Sequence, residues 1–268
     1  MNRLDKAIAR AGGGPLLGMS VQRYDPAFVE MLGLLGVHVA WIEMEHAALT
    51  VAQACDLCRA ATAAGVLSMI RIPDARRDSV LKAAECGPDI IDLPMANTPG
   101  IVRDLVRHAR YAPEGERGFF GGSRAVRYGL ADPIPAEQRR INRSLCLMAQ
   151  IETREAAACA EDLCRVPGLD AVFLGLGDLS ASFGVPGEVN HPAVLKAADA
   201  SLATARACGR RTAVISRPAD AARWAARGAD LLFIGSDIAC LKLGGRALLD
   251  EACAALAVGG KRKPSRRK

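Results

Sequence analysis

Several polar side chains that could do chemistry stand at or just after the ends of short apolar runs. An aliphatic core has little reason to gather ionisable groups, because an unpaired buried charge is expensive. Their recurrence at comparable positions therefore predicts one shared catalytic or binding site. These side chains are Glu43, Glu45, His46, Arg71, Gln150, Glu152 and Asp178.

Glu152 and Asp178 follow two consecutive apolar runs and could face each other. Two carboxylates with no Cys or His nearby in the sequence suit a hard, oxygen-preferring cation such as Mg²⁺ or Mn²⁺. A second interpretation is open for each residue taken alone. Glu152 could cap a helix that begins at Thr153, and Asp178 could cap the turn before Leu179, since acids are common near helix starts.

The elements that must position these residues follow from the hydrophobic pattern. Short apolar or β-branched runs alternate with longer helical segments, several of which carry Pro near the start and Gly at the end. The predicted strands cover residues 15–21, 37–44, 66–72, 89–94, 145–152, 170–175, 211–216 and 229–235.

Eight strand–helix units in 268 residues predict an α/β fold, a single (β/α)8 TIM barrel. A doubly wound open sheet is the alternative, but its G-x-G-x-x-G turn after the first strand is missing. Half of the residues are hydrophobic, which is enough for a sizeable core. A barrel carries its active site at the carboxyl ends of its strands, where the polar side chains stand.

Residues 111–135 form a long, glycine-rich segment between the fourth and fifth units. Its length predicts a functional loop at the barrel mouth. Arg117, Arg124 and Arg127 within it could bind a distal carboxylate of a substrate. Surface ion pairing of the same arginines is the alternative.

The charge distribution argues against a nucleic-acid partner. The formal net charge is +6, and six basic residues lie in the last eight, so residues 1–260 are neutral. A short basic run without an aromatic platform is typical of a solvated end. We therefore predict a barrel domain over residues 1–260 and a basic, disordered tail over residues 261–268.

Composition also predicts a cytoplasmic protein with no membrane partner. The first residues lack the apolar core of a signal peptide, and no run approaches the roughly 20 apolar residues that span a bilayer. The nine cysteines are odd in number and scattered, which is typical of reduced thiols.

Five segments together resemble the HpcH/HpaI aldolase/citrate lyase family, in particular its 4-hydroxy-2-oxoheptanedioate aldolase branch. They occur in the family's order and spacing, and the resemblance runs from about Pro15 to about Leu256. The pair QIET and GDLSASFG is the most specific. The segments are IEMEHAAL (42–49), RIPD (71–74), YAPEGERG (111–118), AQIETREA (149–156) and GLGDLSASFG (175–184).

The resemblance implies a role for each matching residue. Glu152 and Asp178 would be the two protein ligands of a divalent metal, Mg²⁺, Mn²⁺ or Co²⁺. Gln150 and the backbone around Gly177 would hold the pyruvate-like end of the substrate.

The resemblance also implies the residues that move protons and charge. His46 would be the general base, and Arg71 would stabilise the enolate oxygen. Glu43 stands where the family usually has Asp and would orient the base. The sixth strand is followed by G-L-G-D instead of the family's usual G-P-A-D.

These assignments predict a metal-dependent class II aldolase that cleaves 4-hydroxy-2-oxo acids to pyruvate and an aldehyde. No lysine ends a predicted strand, which argues against a Schiff-base aldolase. The alternatives are a citrate-lyase-like cleavage of a CoA thioester within the same superfamily and a non-catalytic barrel. The resemblance further implies a homo-oligomer, a hexamer or trimer of dimers, in which C-terminal helices pack across subunits.

Overall fold

The chain folds as a closed barrel of eight parallel strands, each paired with its neighbours in sequence and the last with the first. The computed structural model describes residues 1–259. This architecture confirms the predicted (β/α)8 barrel. The strands are β1 (Leu16–Val21), β2 (Val39–Glu43), β3 (Leu67–Arg71), β4 (Ile90–Leu93), β5 (Cys146–Ile151), β6 (Ala171–Leu174), β7 (Arg211–Ile215) and β8 (Leu231–Ser236).

Helices surround the barrel and connect its strands. They are α1 (Arg3–Arg10), α2 (Pro26–Leu34), α3 (Val51–Ala63), α4 (Arg77–Glu85), α5 (Pro99–Ala109), α6 (Ile134–Ser144), α7 (Arg154–Ala158), α8 (Ala160–Cys164), α9 (Leu176–Ser182), α10 (Pro192–Ala207), α11 (Ala221–Ala226) and α12 (Asp237–Gly259). Several begin with an Asp or Thr cap followed by Pro or good helix formers, as at Asp25 and Thr98.

The core has two layers because strand side chains alternate between the barrel interior and the surrounding helices. Leu16, Val39, Met69 and Ile90 belong to the interior cluster, and Leu4 of α1 packs against it. The other face of each strand packs on the helices in a larger aliphatic cluster. This packing fixes the barrel rim, and therefore the positions of the residues that leave it.

All eight predicted strands are present, each within about two residues of its predicted limits. Helix α1 was not predicted. Asp178 does not end a strand, because β6 stops at Leu174 and Asp178 lies in the first turn of α9.

The segment after α5 lies at the amino-terminal face of the barrel, so its predicted place at the mouth is wrong. Residues 110–133 connect α5 to α6, and α6 leads directly into β5. A connection that runs from a helix to the next strand necessarily lies where strands begin. The Arg124 Nη1 atom accordingly donates to the carbonyl oxygens of Cys86 and Gly87, just before β4, at 2.7 and 2.9 Å.

The hypothesis that these arginines bind a distal substrate carboxylate at the mouth is therefore wrong for this chain's own site. The surface ion-pair alternative holds for Arg127, whereas Arg117 forms a buried ion pair. Arg117 pairs with Glu85 at 2.9 Å, and Arg127 pairs with Asp132 and Glu137.

In residues 1–259, no helix is both long enough and apolar enough to cross a membrane. All nine cysteines are free thiols. The predicted basic tail over residues 261–268 lies outside the described residues, so the division into domain and tail stays a prediction.

Candidate active site

A cavity of about 570 Å³ opens at the carboxyl ends of the strands. It brings together every residue to which the family resemblance gave a catalytic, metal or substrate role. These lining residues are Glu43, His46, Arg71, Gln150, Glu152, Gly177 and Asp178. The predicted convergence of polar side chains at one end of the barrel is thus present.

Glu43 and Arg71 form a buried ion pair across the register between β2 and β3, where their Cα positions are partners. The Arg71 Nε atom donates to Glu43 Oε2 at 2.6 Å, and its Nη1 atom lies 3.1 Å from Glu45 Oε2. The guanidinium also lies over the Trp41 ring, 4.7 Å from its centroid. Two carboxylates and the face of one aromatic ring therefore hold the Arg71 guanidinium in a single orientation.

His46 reaches the cavity from the turn after β2, and its side chain is 67% exposed. Glu43 does not contact the imidazole ring, because Glu43 Oε1 accepts the backbone N–H groups of Glu45 and His46 at 2.7 and 3.0 Å. The ring lies near Glu45, with 3.6 Å between Nε2 and Glu45 Oε2. Glu43 therefore fixes the backbone that carries the histidine, and Glu45 is the acid beside its ring.

Glu152 follows β5 and is buried at the cavity wall. Its Oε1 atom accepts the backbone N–H of Met95 at 2.6 Å, and Met95 has a φ of 50°, in the left-handed region that non-glycine residues rarely adopt. Its Oε2 atom lies against Gly175, where a Cβ atom would come within 2.6 Å. The missing side chain at Gly175 makes room for the carboxylate.

The helix-capping interpretation fails for both acids. The Thr153 side chain caps α7 by accepting the N–H of Ala156 at 3.1 Å, so Glu152 does not. The N-cap position of α9 is Gly175, which has no side chain to donate or accept, and Asp178 is the third residue of that helix. Asp178 is also exposed to the cavity mouth.

The donor set fits a divalent cation. Burial, with a contribution from the charge of Asp178, raises the pKa of Glu152 to about 7, as expected for carboxylates whose repulsion a cation would relieve. Among the described residues, no group of three or more His, Cys, Asp or Glu side chains could hold an ion. Two carboxylates would leave positions for water and substrate oxygens, an arrangement common for Mg²⁺.

Asp92 is a buried residue of the site that the sequence analysis missed. It lies within β4 beside Arg71 in the register, and the Gln150 Nε2 atom donates to its Oδ2 atom. Burial raises its pKa well above the ordinary value, and its Oδ1 atom has no partner among the described residues. An acid inside the apolar run Ile90–Leu93 was the signal that could have revealed it.

Three aromatic rings close the bottom of the cavity. The Trp41 ring centroid lies 5.0 Å from those of Phe173 and Phe233, which are 5.2 Å from each other. All three side chains line the cavity and are almost fully buried. The polar groups above them therefore act in a site that is shielded on one side from water.

The distal wall of the cavity holds two more arginines that the sequence analysis missed. Arg217 Nε donates to Asp220 Oδ2 at 2.7 Å, and Arg223 Nη2 donates to Asn190 Oδ1 at 2.8 Å. Both follow β7, so they lie at the mouth, unlike the arginines of residues 111–135.

The chain is similar to curated aldolases over most of its length. It is 31% identical over 246 residues to a hydroxypyruvate/pyruvate aldolase of Delftia acidovorans, covering 90% of this chain and 88% of that one. It is 30% identical over 227 residues to a 2-keto-3-deoxy-L-rhamnonate aldolase of Klebsiella pneumoniae, covering 84% of each. These names support a carbon–carbon lyase, whereas the heptanedioate branch stays a prediction.

A solved structure agrees with this similarity. A HpcH/HpaI aldolase/citrate lyase family protein of Burkholderia cenocepacia superposes with a TM-score of 0.86 at 27% identity, covering 94% of this chain and 99% of that one. The family model described as HpcH/HpaI aldolase/citrate lyase matches residues 17–242, which includes every strand from β2 to β8. The chain therefore belongs to the HpcH/HpaI aldolase/citrate lyase family.

Proposed function

We propose that this protein is a metal-dependent class II aldolase that cleaves 4-hydroxy-2-oxo acids to pyruvate and an aldehyde. One observation carries the proposal: two carboxylates, a histidine and a buried arginine line a single cavity at the carboxyl ends of the strands. Among the described residues that line it there is no lysine, which supports the metal-dependent class over a Schiff-base enzyme.

Each side chain can be assigned a task within that cavity. Glu152 and Asp178 would hold Mg²⁺, Mn²⁺ or Co²⁺, and the cation would stabilise negative charge on the keto oxygen of the substrate. Arg71 cannot lose its proton, so its guanidinium would add a permanent positive charge beside the developing enolate.

The remaining residues would position the substrate and move its proton. His46 would accept the proton of the 4-hydroxyl, a task that suits a base of near-neutral pKa. Gln150 and the backbone N–H groups around Gly177 would hold the carboxylate of the pyruvate portion. Gln150 is itself oriented by its hydrogen bond to Asp92.

Pyruvate release from a panel of 4-hydroxy-2-oxo acids tests the proposal. The full-length chain would be assayed after chelation and then with added Mg²⁺, Mn²⁺ or Co²⁺. We expect chelation to abolish cleavage and one or more of the cations to restore it. Cleavage that survives complete chelation, or activity only on a CoA thioester, would contradict the proposal.

We further propose a cytoplasmic homo-oligomer, a hexamer or trimer of dimers. The support is α12, which leaves the barrel after its first turn and carries leucines that are exposed in the single chain. These are Leu241, Leu243, Leu248, Leu249 and Leu256. A helix with so much exposed apolar surface is typical of a protein–protein contact.

A further inference from the structure

A second cavity, of about 410 Å³, lies at the amino-terminal face of the barrel. Its wall contains residues of α3, of the connection before β4, of residues 117–128 and of the end of α6. It is therefore at the opposite end of the barrel from the aldolase site. Its most prominent feature is a set of six arginines, Arg3, Arg59, Arg117, Arg124, Arg127 and Arg140.

The wall of this arginine cavity presents six guanidinium groups, and all but that of Arg124 pair with a carboxylate among the described residues. No acidic side chain is among its described lining residues. The carboxylates that pair with the arginines, such as Asp56, Glu85 and Glu137, lie outside the wall.

Arg124 adds a charge that no described carboxylate offsets. Its two terminal nitrogens donate to three backbone carbonyl oxygens and to the Thr62 hydroxyl, the last at 2.7 Å. These bonds fix the guanidinium in the wall without neutralising it. A fixed, uncompensated cation in a concave wall attracts anions.

Arg117 contributes a second guanidinium to the wall, and its hydrogen-bonding capacity is only partly used. Its side chain is fully buried, its Nη2 atom donates to Glu85 at 2.9 Å, and it stacks on Tyr111. Its Nε and Nη1 atoms have no hydrogen-bond partner among the described residues. Buried donors are rarely left unpaired, and these belong to a side chain that lines the cavity.

We propose that the arginine cavity binds a small anion that carries phosphate groups. Guanidinium groups that converge from several elements match the oxygens of a phosphate group, which accept bonds from several directions. The cavity volume falls in the range of small-molecule sites and exceeds the need of a single inorganic ion. The site is separate from the aldolase site and does not depend on the proposed reaction.

Calorimetric titration of the full-length chain tests the proposal, with inorganic phosphate and fructose 1,6-bisphosphate as probes at matched ionic strength. We expect saturable binding of the bisphosphate with a Kd below about 1 mM. Arg59→Gln should weaken it about tenfold, the loss expected for one charge-assisted hydrogen bond. Arg117→Gln should do the same if it folds.

Arg165→Gln is the matched control. Like Arg59, Arg165 is largely exposed and pairs with a carboxylate one turn earlier, but it lies outside the cavity. Arg217→Gln, at the aldolase mouth, should also bind as the wild type does. No saturable binding, an equal loss in Arg59→Gln and Arg165→Gln, or a loss only in Arg217→Gln would overturn the proposal.

Discussion

At the residue scale, Arg71 is the side chain whose orientation is most tightly determined. Glu43, Glu45 and the Trp41 ring each contact its guanidinium, and only 10% of the side chain is exposed. A lysine would keep the charge but lose the planar fork that contacts two carboxylates at once. The substitution Arg71→Lys can therefore separate the effect of the positive charge from the effect of the guanidinium's orientation.

Arg71→Lys should lower kcat for pyruvate release about 100-fold, the usual cost of one charge-stabilising donor. Because the positive charge remains, KM for the oxo acid should change much less. Arg76→Lys is the control, since Arg76 pairs with Asp74 on the exposed surface after the same strand. Equal activity in both variants would show that the fork of Arg71 has no catalytic role.

Gly175→Ala should weaken Mn²⁺ binding by about tenfold or more, the typical effect of disturbing a metal ligand's surroundings. The new Cβ would lie 2.6 Å from Glu152 Oε2 and would displace that carboxylate. Gly177→Ala is the control, because a Cβ there meets no atom within 4 Å. Titration of Mn²⁺ without substrate measures the effect, and unchanged affinity in Gly175→Ala would remove Glu152 as a ligand.

At the element scale, ion pairs fasten the connection over residues 110–133 to α6 at the amino-terminal face of the barrel. Glu137 of α6 is the shared partner of Arg127 and Arg140, and its side chain is 1% exposed. Hydrogen bonding to Arg127 lowers the pKa of Glu137 from 4.5 to about 2. A carboxyl group with a lowered pKa stabilises the folded state above its unfolded pKa.

Glu137→Gln should therefore lower the free energy of unfolding at neutral pH by about 1 to 2 kcal/mol, a value reduced by the exposure of both arginines. The difference from wild type should shrink as the pH falls from about 4.5 through about 2, because the glutamate becomes protonated in both states only below the lower of these pKa values. Urea unfolding over that range measures it. The exposed Glu161→Gln is the control, and a difference independent of pH would exclude this ion pair as its source.

The sequence predicted the strands well, because the spacing of apolar side chains and the Pro and Gly residues at helix ends are local properties of the chain. It also predicted that the candidate site residues would converge on one cavity, because each stands at or just after the end of an apolar run. It did not predict the place of Arg124, whose partners are carbonyl groups 37 and 38 positions earlier in the chain. Arg217 and Arg223 were likewise missed, although the predicted barrel already places the residues after β7 at its mouth.

At the scale of the whole molecule, α12 is the element that the single chain leaves incomplete. Residues 241–250 are all exposed, although they include four leucines. Water would have to cover this apolar surface in a monomer, at a cost of roughly 25 cal/mol for each Å². Burial against a second copy would remove that cost.

Leu248→Glu should lower the mass of the particle in solution, as measured by size-exclusion chromatography with light scattering. A buried glutamate without a partner would oppose the contact that we propose for α12. Leu34→Glu is the control, because Leu34 is also highly exposed but belongs to α2. If the wild type is a monomer, or Leu248→Glu keeps the wild-type mass, α12 is not the assembly surface.

The aromatic cluster at the bottom of the cavity has a practical consequence. The chain has two tryptophans, Trp41 and Trp224, and both line the aldolase cavity. The tryptophan emission of the protein, excited selectively near the red edge, therefore originates at the wall of this cavity. Quenching or a spectral shift of that emission would report occupancy directly, so ligand affinity can be followed in variants that no longer turn over.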